Sequence, residues 1–82
     1  MTIDKSKFIA SFKEETKEHI LKINEGLLAL EKDNKDKDVL EALMREAHTI
    51  KGSATMMGFE DIVEITHRME EGFEKALKQQ LV

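Results

Sequence analysis

The sequence predicts an all-α protein, and three observations carry that prediction. Its 82 residues contain no proline. Apolar residues recur at three- and four-residue spacings through three separate stretches, which is the period of a helix with one buried face. Runs of β-branched or aromatic residues bounded by turn formers are missing. A chain of this length makes one small domain, here residues 1–82, read as an antiparallel up-down bundle of three helices.

The first helix is expected to start near Asp4 or Ser6, either of which suits an N-cap. Phe8, Ile9, Phe12, Ile20, Ile23, Leu27 and Leu30 form its stripe, with Thr16 and His19 filling the gap. Glu18 and Lys22, four apart with opposite charges, add mild support. The stretch 32–37 has no apolar residue and reads as a solvated connection. Within it, Asn34 suits a left-handed C-terminal conformation and Asp36 suits the N-cap of the next helix.

The second helix carries Val39, Leu40, Leu43, Met44, Ala47, Ile50, Ala54 and Met57. Gly58 suits the left-handed residue that ends it. After Phe59, Glu60 and Asp61 place negative charge where a helix N-terminus favours it. Ile62, Val63, Ile65, Thr66, Met69, Phe73, Ala76 and Leu77 then form the third stripe, which runs to Gln79 or Gln80. Met44, Met56, Met57 and Met69 read as adaptable core filler. Gly26 and Gly72 interrupt helices and read as points of close packing or mild bending.

Composition excludes several functions. Thirteen basic residues against 17 acidic ones leave a formal charge of −4, the wrong sign for a nucleic-acid footprint. Without cysteine there is no disulfide, thiol catalysis or thiolate metal site. No apolar stretch approaches the roughly 20 residues of a membrane span, and Met1 to Lys5 lack the apolar region of a secretory signal. A cytoplasmic protein without membrane insertion is the expectation.

The chemistry-bearing feature is His48-Thr49-Ile50-Lys51-Gly52. On a helix, Lys51, Gly52 and Thr55 line up beside His48. His48 sits about 100° from Ala47 around the helix, at the edge of the buried stripe or outside it. Arg45 extends the positive surface on the other flank. Glycine inside a helix costs roughly 0.5–1 kcal/mol relative to alanine. At an outward position, close approach of a partner accounts for it better than internal packing does. Ser53 and Thr55 have no base-and-orienter arrangement and are assigned no catalysis.

On the third helix, His67 and Glu70 lie one turn apart on the polar flank. If the second and third helices are antiparallel, Glu70 can accept a hydrogen bond from one ring nitrogen of His48 and leave the other free to attack. A plain solvated face of charges is the competing reading. A metal site from His48, His67 and Glu70 is disfavoured, because no His-x-x-x-His spacing occurs and Lys51 repels a cation. His19 reads as a partly buried helix residue.

The stretch from Arg45 to Ala54, then Met57-Gly58-Phe59, then His67-Arg68-Met69-Glu70, resembles the histidine-containing phosphotransfer (HPt) domains, and among them those of chemotaxis-type histidine kinases. The resemblance covers nearly the whole chain. It implies that His48 is the phosphoacceptor of a two-component relay, that Lys51 offsets phosphoryl charge, and that Gly52 clears space. It further implies that Glu70 orients His48 and that His67 joins the same hydrogen-bonded cluster. The implied partners are a histidine kinase ATP-binding domain and a response-regulator receiver domain. ATP and Mg²⁺ belong to those partners, and no cofactor or metal is expected here. The family builds a four-helix bundle, whereas this chain supplies three helices. The expectation is therefore a fragment of a longer kinase, or self-association through exposed helix faces. The competing class is a non-catalytic helical oligomerisation or scaffold module.

Overall fold

A computed structural model describes residues 5–80 and contains three helices in chain order: α1 (Lys5–Lys32), α2 (Lys37–Met57) and α3 (Glu60–Gln80). Among the described residues there is no strand. Asp4, one of the two expected N-caps, lies outside the described residues, and Ser6 falls inside α1.

The two connections are built from capping chemistry. At the end of α1, the Asp33 N–H donates to Ala29 O at 3.1 Å, and Asp33 Oδ1 accepts from the Lys35 N–H at 3.0 Å. Asn34 does not take the left-handed conformation expected of it, since no described residue other than glycine has positive φ. The Asp33 side chain closes the turn instead. Asp36 caps α2 as expected, its Oδ1 accepting from the Val39 N–H at 3.2 Å. Gly58 ends α2 at φ 76°. The N–H of Gly58 donates to Thr55 O and that of Phe59 to Ala54 O, the paired bonds of a Schellman motif. Phe59 then packs edge-on against Phe12 of α1, ring centroids 5.1 Å apart.

Helix α2 is the centre of the molecule. It packs closely against both α1 and α3, while the backbones of α1 and α3 stay further apart. The result is an elongated three-helix molecule, 54 × 19 × 16 Å. This order decides which stripes are buried. Leu40, Leu43, Ala47, Ile50 and Ala54 of α2, flanked on both sides, are all buried. On α1 only Phe12 and Ile23 are buried, and Phe8, Ile9, Ile20 and Leu27 of the expected stripe stay exposed. On α3 the apolar positions Ile62, Met69 and Phe73 are partly buried against the core formed by Ile23, Leu43 and Ile50. Met56, expected as core filler, is 89% exposed.

Gly26 is explained by packing. A Cβ there would lie 2.7 Å from Leu43 Cδ2, so the missing side chain lets α1 close on α2. Gly72 faces open space. A second tie between α1 and α2 is polar: His19 Nδ1 meets Glu46 Oε2. Among the described residues no helix is long and apolar enough to cross a membrane.

Candidate functional site

The site is assembled from one exposed edge of α2 and the facing edge of α3. Ala47 and Ile50 point into the core, which turns His48 outward, and its side chain is 67% exposed. The antiparallel run of α3 brings Glu70 opposite. His48 Nδ1 lies 2.6 Å from Glu70 Oε2, and Lys51 Nζ donates to the other carboxylate oxygen, Oε1, at 2.6 Å. One carboxylate therefore grips two side chains one turn apart on the neighbouring helix.

The electrostatics of this grip fix which ring nitrogen carries the hydrogen shared with Glu70. The Lys51 ammonium holds the Glu70 carboxyl below the usual carboxylate range; partial burial opposes this, and the His48 hydrogen bond reinforces it. Near neutral pH Glu70 is ionised and can only accept. The hydrogen between the two residues thus sits on His48 Nδ1, so in the neutral ring the lone pair is at Nε2. Lys51 is half-buried and Glu70 likewise, so the anchoring pair is shielded while the ring it steadies is open to solvent.

The space around the ring is also defined. A Cβ at Gly52 would meet nothing within 4 Å, so no internal packing requires glycine there. Arg45 and Thr49 line a shallow groove with Met44, His48 and Glu70. Thr49 and Thr55 spend their hydroxyls on their own helix, donating to Arg45 O at 2.9 Å and Lys51 O at 2.8 Å.

His67 departs from expectation. Its Nε2 lies 2.6 Å from Glu71 Oε1, one turn on along its own helix, rather than in the His48–Glu70–Lys51 cluster. It shares a separate shallow groove with Thr55, Gly58 and Val63. The reason is geometric: residues 67 and 70 differ by about 60° around a helix, and Glu70 takes the side facing α2. Sequence reasoning missed the Lys51–Glu70 pair, although its signal was present in the opposite charges on facing polar flanks. It also missed Met44 and Thr49 as groove-lining residues. Among the described residues no three His, Asp or Glu side chains converge to hold a metal ion.

Comparison with known proteins bears on this arrangement. The family model described as Hpt domain matches residues 7–81. Over 68 residues, 83% of the chain, it is 40% identical to the chemotaxis protein CheA of Bacillus subtilis, of which this covers 10%. Over 59 residues, 72% of the chain, it is 42% identical to the chemotaxis protein CheA of Listeria monocytogenes, again covering 10%. With the chemotaxis protein CheA of Salmonella typhimurium it shares 35% identity over 81 residues, 99% of the chain and 12% of that protein. The chain thus spans about a tenth of the length of the curated relatives it matches. No solved structure matches it.

Proposed function

This chain belongs to the Hpt domain family, and on that premise we propose that His48 accepts a phosphoryl group from the ATP-binding domain of a histidine kinase and passes it to an aspartate of a response-regulator receiver domain in a chemotaxis-type relay. The observation that carries the reading is the hydrogen bond from His48 Nδ1 to Glu70 beneath an exposed ring.

The chemistry follows from that bond. The Nε2 lone pair attacks the γ-phosphorus of ATP held by the kinase domain. The bond from phosphorus to the bridging oxygen breaks, and ADP leaves with the electron pair. The Nδ1 hydrogen stays against Glu70, whose charge offsets the positive charge that develops on the ring. In the second step a receiver carboxylate attacks phosphorus, and the N–P bond returns its electrons to Nε2. Phosphoryl transfer depends mainly on positioning and electrostatic stabilisation, so a fixed tautomer and an accessible nitrogen are what this domain contributes. Lys51 offsets phosphoryl charge at the site, and Arg45 adds positive charge on the approach. Gly52 and Thr55 form the smooth surface on which the partner docks. His67, paired with Glu71, serves at the rim of that surface. The relay reading places the chain in the cytoplasm.

The test is direct. Incubated with a histidine kinase domain and γ-labelled ATP, the protein takes up label that is acid-labile and alkali-stable, and His48→Gln takes up none. Label of the same kind and amount on His48→Gln refutes the assignment.

A second reading concerns assembly. Phe8, Ile9, Ile20, Leu21, Leu27 and Leu28 are exposed on one helix, more apolar surface than a solvated helix needs. Self-association of the chain through α1 is the corresponding proposal, and it is compatible with the relay because His48 lies on the α2–α3 edge.

A further inference from the structure

We propose that His19 is a second phosphoryl acceptor, loaded by a small phosphodonor rather than by a docked protein. The proposal does not depend on His48 being the kinase's target.

Two features of the His48 site recur at His19. The first is the carboxylate: His19 Nδ1 is engaged by Glu46 Oε2 from the neighbouring helix α2, as His48 Nδ1 is engaged by Glu70 from α3. With the carboxylate accepting, the shared hydrogen sits on Nδ1, and in the neutral ring the lone pair is at Nε2. The second is the cation: Lys22 follows His19 at the spacing by which Lys51 follows His48, three residues and one turn on. Lys22 is exposed. Unlike Lys51, which Glu70 holds, it makes no ion pair among the described residues, so its ammonium is available to an incoming dianion.

The two sites differ in access, and the difference sets the class of donor. The His48 side chain is 67% exposed, whereas those of His19 and Glu46 are 24% and 21% exposed. His19 faces α2 through its contact with Glu46, with no glycine clearing beside it. A side chain only 24% exposed is reached more readily by a small molecule than by the surface of another protein. The donor class is therefore a small phosphoramidate or acyl phosphate.

The step balances with phosphoramidate. Nε2 attacks phosphorus, the P–N bond of the donor breaks, and ammonia leaves with its electron pair. The new Nε2–P bond leaves the ring positively charged, with its Nδ1 hydrogen still against Glu46. A carboxylate behind an imidazole raises the basicity of the far nitrogen, and loss of such a partner typically costs about ten- to a hundred-fold in function.

The chain has three histidines, so His48→Gln/His67→Gln leaves His19 alone. Treated with phosphoramidate at neutral pH, this variant takes up one acid-labile, alkali-stable phosphoryl per chain. ³¹P NMR assigns it to Nε2, and uptake is at least tenfold faster than on the unfolded peptide spanning residues 15–26. Glu46→Gln added to that background, with unchanged helical circular dichroism, slows uptake about tenfold. Tandem mass spectrometry of the unmutated protein, kept at alkaline pH, reads the same modification at His19 without any substitution. Absence of label at His19, label at Nδ1, or a rate equal to that of the peptide overturns the proposal. Each of these results leaves the kinase-dependent labelling of His48 unaffected.

Discussion

Glu70 lies 2.6 Å from His48 through one carboxylate oxygen while its other oxygen is held by Lys51. The contact spans 22 residues of sequence and joins two helices. It makes the orientation of an exposed ring a property of helix packing.

Replacing Glu70 by alanine frees that ring and removes the acceptor for the Nδ1 hydrogen. Phosphoryl uptake by His48 from the kinase domain is expected to fall about ten- to a hundred-fold, with helical circular dichroism retained. A rate equal to that of the unmutated chain removes Glu70 from the mechanism.

The same carboxylate links stability to pH. Glu70 is held below the ordinary carboxylate range, chiefly by the Lys51 hydrogen bond. Unfolded, it binds a proton at higher pH than folded. Its contribution is therefore complete above the ordinary carboxylate range and is lost as pH falls through that range towards the depressed folded value. Thermal melts between pH 7 and pH 3 should show a smaller acid-side loss of Tm in Glu70→Gln than in the unmutated chain. Parallel losses would show that the cluster contributes nothing to acid sensitivity.

Three glycines give two different outcomes on substitution by alanine. Gly72 faces open space, so Gly72→Ala is expected to stabilise by about 0.5–1 kcal/mol. Gly52 also faces open space; Gly52→Ala should gain similarly, while Gly52→Leu slows transfer to the receiver domain. At Gly26 the new Cβ meets Leu43 at 2.7 Å, and overpacking of about 1–3 kcal/mol outweighs the helix gain. Urea denaturation of the three alanine variants checks the order.

Asp36 caps α2 through the Val39 N–H. Asp36→Ala should cost about 1 kcal/mol in chemical denaturation, leaving labelling of His48 unchanged because the cap lies three turns from the ring. A loss below 0.2 kcal/mol, on the order of an exposed pair, would mean that Asp36 contributes no cap.

The exposed apolar side chains of α1 predict a concentration-dependent rise in mass in sedimentation equilibrium from low to high micromolar. Leu21→Lys/Leu28→Lys, both at positions 60% exposed, should reduce it. A single monomeric species throughout that range rules the association out.

Much of the secondary structure was legible because its signals are local. The spacing of Leu40, Leu43, Ala47, Ile50 and Ala54 marks a buried face, and Asp36 and Gly58 have side-chain and backbone properties that suit helix ends. The outward placement of His48 follows from the same spacing. Asn34 misled, because the neighbouring Asp33 carboxylate offered a competing way to close the turn.

The helical class, the ends of α2, and the cluster of His48, Lys51 and Gly52 on one outward edge were determined by the sequence itself, since each depends on residues within one or two turns of each other. Tertiary structure alone decided the rest. The central position of α2 buried Leu40, Leu43, Ala47, Ile50 and Ala54 of its stripe and left much of the α1 stripe in water. The pitch of α3 against α2 gave Glu70 to His48 and Lys51 and sent His67 to Glu71. The closure of α1 over Gly26 accompanies the pairing of His19 with Glu46. These outcomes depend on the relative rotation of packed helices. A period of 3.6 residues tells which side chains share a face, but not which neighbour that face will meet.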